Sequence, residues 1–194
     1  ATTQKNVYGV MYRVTEVDPP VEDLAVPLVP LVIDIPDPPD DLVHDRYYNH
    51  ELRTSSLALL DGDHELNDGI VNAYMQLLNE RSTNANKNQL FFDTFCAVKL
   101  LNGYSLTRYF EKFFKTNMKV VEEIYIPVNP NQNHWTLVQV RVKERTIKYY
   151  DSYKDKYPEI TTLVMQFVTD ELNKDKSKEP SVNTDDWKDP VWEN

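Results

Sequence analysis

One cysteine, Cys96, stands in the whole 194-residue sequence, so no disulfide can form within the chain. A chain without an internal disulfide suits a reducing compartment. Basic charge is also scarce: 21 Lys and Arg stand against 31 Asp and Glu, a net charge of −10. Phosphate binding needs clustered Lys and Arg, so this balance argues against a nucleic-acid surface. No apolar run approaches the ~20 residues of a membrane-spanning helix, which argues against a membrane function. The N-terminus carries no basic-then-apolar signal pattern. No internal repeat is present.

What the chain does have is unevenly distributed. Hydrophobic residues make up 41%, enough for the core of one ordinary domain plus an extension. Seven of the twelve prolines lie between Val17 and Asp41, interleaved with Asp18, Glu22, Asp23, Asp34, Asp37, Asp40 and Asp41. Proline removes backbone donors and pushes its predecessor toward extended conformations, so neither a helix nor a central strand suits this stretch. Residues 1–50 are therefore expected to be an acidic, proline-rich extension or linker, with apolar pieces such as Val26 to Ile33 able to dock on a partner or on the domain. Residues 51–194 are expected to be the globular part.

Within it, Leu57, Leu59 and Leu60 mark a short helix ending near Gly62. Asn67 or Asp68 is placed to cap a second helix, with Ile70, Val71, Tyr74, Met75, Leu77 and Leu78 on its apolar face. A polar loop from Ser82 to Asn88 leads to a predicted helix over 89–101, and Ser105 is expected to cap an amphipathic helix with Leu106, Tyr109, Phe110, Phe113 and Phe114. A strand is predicted over 120–128, then a hairpin, then a helix over 158–173 with Pro158 at a permitted first-turn position. Helices followed by consecutive strands read as α+β.

The hairpin carries the candidate chemistry. His134 opens one β-rich run, Lys143-Glu144-Arg145 form a polar turn, and Asp151 closes the next run. In an antiparallel hairpin the start of the first strand lies beside the end of the second. His134 and Asp151 are thus expected at the same end of the sheet, within reach for the carboxylate to orient the imidazole. That supplies two members of a nucleophile–His–Asp constellation.

Ile126-Pro127-Val128, Asn133-His134-Trp135 and Tyr149-Tyr150-Asp151-Ser152 together resemble the catalytic centre of the SUMO/sentrin-specific ubiquitin-like-protein proteases, cysteine proteases related in fold to the adenovirus protease. Leu66-Asn67-Asp68 and the apolar helix after it are similar to the Trp-Leu-Asn-Asp stretch near the start of that catalytic domain. Asp93-Thr94-Phe95 leading to Lys99-Leu100 resembles the family's Asn-Thr-Phe-Phe helix. The three blocks occur in the family's order and cover roughly residues 52–192. The resemblance implies a papain-like, adenain-like α+β fold and a thiol isopeptidase or peptidase acting after the terminal Gly-Gly of a ubiquitin-like modifier. It implies His134 and Asp151 as catalytic residues, Trp135 over the channel for the Gly-Gly tail, and Asp68 toward the modifier. The bland alternatives are packing of Trp135 on the hairpin and capping by Asp68. The implied partners are the modifier and its conjugates, in the nucleus or cytoplasm, with no cofactor and no metal.

Two departures stand out. In the family the thiol follows the Asp, in an Asp-Cys-Gly preceded by a Gln that forms the oxyanion hole. Here Cys96 lies upstream of His134 at a position matching a buried apolar site, and Gln166 falls within a helix pattern. Asp185-Asp186-Trp187 onward resembles the stretch just before the missing Gln, so the sequence reads as cut short of the nucleophile. The second departure is Glu65, where the family has the Trp that forms the other wall of the channel. An inactive modifier-binding module, and a transposon- or effector-borne relative with other targets, stand as alternatives to the enzyme. A chain without the Cys-bearing helix is further expected to expose an apolar patch around Trp135, Leu137 and Tyr149.

Overall fold

The computed structural model describes residues 2–7, 10–15, 41–47, 50–174 and 181–193. The chain divides into two units, 1–37 and 38–194. In the first, β1 (Thr2–Val7) pairs antiparallel with β2 (Val10–Thr15), Thr2 opposite Thr15. The proline-rich run expected to be a linker lies, over 16–40, outside the described residues.

The second unit opens with β3 (Val43–Tyr47) and β4 (His50–Arg53), an antiparallel pair. The Thr54 N–H donates to the Leu42 carbonyl at 3.0 Å, tying this pair to α1 (Thr54–Leu57) and the short 3-10 turn after it. Helix α2 (Asp68–Asn84) follows. Its cap is Asn67, whose Oδ1 accepts the Ile70 N–H at 3.1 Å. Asp68 sits one residue inside, in the first turn, where its charge suits the positive end of the helix.

Residues 89–101 depart from the single helix their pattern predicts. Gln89–Phe91 form β5, and α3 runs only over Phe95–Leu101. The reason lies in α2. Asn79 Oδ1 accepts the Phe91 N–H at 2.9 Å and its Nδ2 donates to the Phe91 carbonyl at 2.6 Å. The single Ser82 Oγ–H is shared between the carbonyls of Lys87 and Gln89, at 3.0 and 3.2 Å. Two helix side chains thus stand in for a neighbouring strand and satisfy the outer edge of β5. Asp93 then ends the strand, its Oδ1 accepting the Phe95 N–H at 3.1 Å.

Helix α4 (Thr107–Phe113) and β6 (Glu123–Val128) lead to the hairpin of β7 (Thr136–Arg141) and β8 (Thr146–Tyr150). Helix α5 (Pro158–Leu172) and β9 (Val191–Glu193) complete the unit. The sheet order is β5-β6-β7-β8-β9, with β5 parallel to β6, β9 parallel to β8, and the middle pairs antiparallel. Helices and a mixed sheet make the architecture α+β.

Strand alternation decides which side chains build the core. Ile124, Ile126, Val128, Val138, Val140, Ile147 and Tyr149 point to one face and are buried with Phe92, Phe110, Val164 and Phe167 from around α3, α4 and α5. Pro127 points to the other face and lies past the end of β5, where among the described residues β6 has no strand partner on that side to take an N–H. A buried acid ties two helices: Glu171 accepts from Thr107 Oγ1 at 2.6 Å and pairs with Lys174 at 2.8 Å.

Tyr149 corrects one expectation. It belongs to the core face, fully buried, with its hydroxyl donating to Thr136 Oγ1 at 2.8 Å. Burial pushes its phenol up to about 12. The groove on the opposite face takes Tyr150 instead, together with Ile70, Tyr74, Leu77, Pro127 and Leu137, and has a volume near 700 Å³.

Candidate active site

Register brings the candidate pair together. Leu137 lies opposite Tyr150, so the residues just before β7 and just after β8 share one end of the sheet. His134 occupies the approach to β7, its N–H donating to Asn129 Oδ1 at 3.1 Å. Asp151 follows β8 directly, and its own N–H donates to the Glu193 carbonyl of β9 at 3.1 Å. Between the side chains, His134 Nε2 and Asp151 Oδ1 stand 2.7 Å apart. The Asp151 carboxyl is only 1% exposed and the imidazole 14%. This is the separation of a charge-assisted hydrogen bond, in a place with little water to compete for it.

The same Asp151 oxygen accepts the Tyr153 N–H at 2.8 Å. Asp151 Oδ2 is buried and has no hydrogen-bond partner among the described residues. The Tyr153 ring lies on the imidazole, centroids 4.0 Å apart and planes 15° from parallel. Sequence reasoning passed over Asn129, Tyr153 and Glu193. Asn129 and Tyr153 act through local turns that no periodicity marks, and Glu193 acts through a parallel strand remote in sequence.

A cleft of about 750 Å³ opens beside the pair, lined by His134, Trp135, Tyr153, Phe95, Glu65 and Asp68 among others. Trp135 is half-buried, and its indole N–H donates to the Leu66 carbonyl at 2.6 Å. The indole therefore bridges the hairpin to the segment leading into α2, forming one wall of the cleft and one wall of the apolar groove. Glu65 lines the cleft as an exposed carboxylate, and Asp68 lies at its margin.

Cys96 takes no place in the cleft lining. It is fully buried on α3 within the core, its thiol donating to Asp93 Oδ1 at 3.2 Å. Burial above all, and then the Asp93 carboxylate, pushes that thiol well above its ordinary value. A thiol so placed is a small hydrophobe that resists ionisation. Gln166 lies in α5, its Nε2 donating to Asp170 at 2.8 Å. Among the described residues no group of three His, Cys, Asp or Glu could hold a metal ion. No helix among them is long and apolar enough to cross a membrane.

Comparison with known proteins gives a consistent assignment. The model of the Ulp1 protease family, C-terminal catalytic domain, matches residues 64–193. Ubiquitin-like-specific protease 1A of Arabidopsis thaliana is 32% identical over an alignment of 147 residues that covers 71% of this chain and 29% of that protein. Sentrin-specific protease 2 of Mus musculus is 30% identical over 136 residues, 69% of this chain and 22% of that one. The chain thus spans less than a third of the length of these curated relatives. The SUMO protease Ulp1 with its catalytic cysteine oxidized to a sulfenic acid matches with a TM-score of 0.63 at 25% identity, covering 76% of this chain and 64% of that one. The C-terminal Ulp1 protease domain in complex with SMT3, the yeast ortholog of SUMO, matches with a TM-score of 0.60 at 25% identity, covering 70% and 62%. The chain belongs to the Ulp1 protease family, and residues 64–193 are the part that matches its C-terminal catalytic domain.

Proposed function

We propose that this domain carries the acid–base half of a thiol peptidase and isopeptidase that cleaves after the terminal Gly-Gly of a ubiquitin-like modifier of the SUMO kind. The observation that carries this reading is the short His134–Asp151 hydrogen bond at the edge of a cleft walled by Trp135. An ionised carboxylate only accepts, so Nε2 holds the ring proton and Nδ1 keeps its lone pair. Nδ1 makes no hydrogen bond among the described residues. It is the base that takes a proton from a thiol. The thiolate then attacks the terminal glycine carbonyl, and the imidazolium returns the proton to the departing amine as the tetrahedral intermediate collapses to a thioester. Water, deprotonated by the same nitrogen, hydrolyses the thioester and frees the thiol. Asp151 holds the tautomer and balances the imidazolium charge.

By the family resemblance Trp135 covers the channel for the extended Gly-Gly tail, and its place in the cleft wall beside His134 supports that reading. Asp68, exposed at the margin, is offered as a contact to the modifier. The names of the relatives support this partner class, as does the solved complex of one of them with SMT3. The modifier and its conjugates, in the nucleus or cytoplasm, are the proposed partners and setting.

The nucleophile is not Cys96, whose thiol is buried and held protonated. The 194 residues alone are therefore proposed to be inactive, with His134 suited to a thiolate they do not themselves present. The same burial of Cys96 favours a second reading, a modifier-binding module that keeps the cleft without turnover. Incubating the chain with a ubiquitin-like precursor tests both readings. Binding without product is expected; turnover abolished by Cys96→Ser would overturn them. The reading frame after Asn194 separates them, since a Gln followed shortly by Asp-Cys-Gly favours the enzyme.

A further inference from the structure

We propose that Tyr153 is the positioning residue of the His134–Asp151 pair, acting on both members at once. Its backbone N–H donates to Asp151 Oδ1 at 2.8 Å, the same oxygen that meets His134 Nε2 at 2.7 Å. Its ring covers one face of the imidazole at 4.0 Å and 15°. The link is built into a tight turn: the Lys154 N–H donates to the Asp151 carbonyl at 3.1 Å, and Lys154 takes a left-handed φ of +65°. Asp151, Ser152 and Tyr153 thus form a loop in which fixing the carboxylate also fixes where the tyrosine ring falls.

Tyr153 is not a core residue that meets the imidazole by accident of packing. It is 69% exposed and lines the cleft. Its hydroxyl has no hydrogen bond among the described residues, so the ring face is the working part. An imidazole turns about a broad, roughly two-fold torsion, and half a turn would exchange its nitrogens for carbons. One hydrogen bond to Asp151 opposes that rotation, and a stacked ring opposes it independently. The ring also shields the Nε2–H···Oδ1 bond from water on one side, and a hydrogen bond with fewer water competitors is electrostatically stronger.

The bearing of this role on catalysis rests on the function proposed above; the geometry does not. The test therefore reads the pair and not turnover. Imidazole proton and nitrogen resonances of the chain are compared with those of Tyr153→Phe, Tyr153→Leu and Tyr153→Ala. In the unmodified chain the carbon-bound ring protons of His134 are expected upfield, from the ring current of Tyr153, and the Nε2 proton is expected to exchange slowly with water. Tyr153→Phe keeps both features. Tyr153→Leu and Tyr153→Ala lose the upfield shift, and exchange of the Nε2 proton quickens about three- to tenfold, the range that an aromatic pair is worth. Tyr153→Leu retains bulk on the turn and serves if the alanine variant fails to fold. Exchange unchanged in the leucine variant overturns the proposal, and so does equal acceleration in the phenylalanine variant. Loss of modifier binding with these signatures intact would refute the functional reading and leave the positioning role standing.

Discussion

Asp151 is held by Glu193. The backbone N–H of Asp151 donates to the Glu193 carbonyl at 3.1 Å, so the carboxylate facing His134 is fixed by β9 as well as by the hairpin that delivers it. Around this bond Trp192 packs on Tyr149 at 5.5 Å, and Lys148 pairs with Glu193 at 2.7 Å.

Trimming the chain after Lys188 should therefore do more than shorten a tail. It removes a partly buried Trp and frees the Asp151 N–H, which should lower unfolding stability by roughly 2–3 kcal/mol. Urea denaturation followed by fluorescence or circular dichroism measures it. An unchanged midpoint would show that β9 contributes nothing to the sheet.

Asn79→Ala should leave both the N–H and the carbonyl of Phe91 without their side-chain partners. The expected loss is about 2 kcal/mol, within the range for unsatisfied backbone groups. Amide hydrogen exchange at Phe91 should rise more than at Ile124, which lies within the sheet. Asn79→Asp, which removes the donor and keeps an acceptor, should be intermediate.

These contacts explain what the sequence could and could not reveal. The hairpin from 126 to 152 was legible because alternation of apolar residues runs cleanly into His134 and Asp151, and α2, α4 and α5 because their apolar faces repeat at helical spacing. Strands β5 and β9 were not. Each spans three residues and exists through partners outside its own segment: the Asn79 and Ser82 side chains of α2 and the remote β6 for one, the remote β8 for the other. Tyr149 and Tyr150 are adjacent residues of one type, and alternation separates them: Tyr149 is in phase with buried Ile147 and Tyr150 with Lys148. Tyr153 carries no local signal of its role, because the stack depends on a turn whose path is set by the Asp151 side chain.

Stability should fall at alkaline pH for an identifiable reason. Burial pushes the Tyr149 phenol up to about 12, and burial with the Asp93 carboxylate raises the Cys96 thiol. Both groups keep their protons in the folded chain at a pH where the unfolded chain releases them. Their contribution is whole below the ordinary thiol and phenol values of 9.0 and 10.0 and is lost as pH rises above them. The urea midpoint should hold between about pH 7 and 8.5 and then decline, and Tyr149→Phe should flatten the part from about 10 to 12. A decline as steep in Tyr149→Phe would remove that phenol as its source. Cys96 should resist alkylation at about pH 8 until the chain is unfolded in urea.

Glu65 should limit how tightly the cleft holds a Gly-Gly tail, because a carboxylate lines the wall where relatives offer an indole by the resemblance. Glu65→Trp should strengthen binding of a Gly-Gly-ended modifier by about three- to tenfold, the worth of an aromatic contact. Calorimetric titration reads the change. Weaker binding would mean that the carboxylate itself is a contact.

The central claim is that the cleft beside His134 and Trp135 receives the tail of a ubiquitin-like modifier. Its most direct test is a resonance titration of the isotopically labelled chain with a SUMO-like modifier ending in Gly-Gly, and with the same modifier lacking those two residues. The Trp135 indole N–H and the His134 ring signals should shift saturably with the intact modifier and stay still with the shortened one. Equal shifts with both, or shifts confined to residues away from the cleft, would contradict the account.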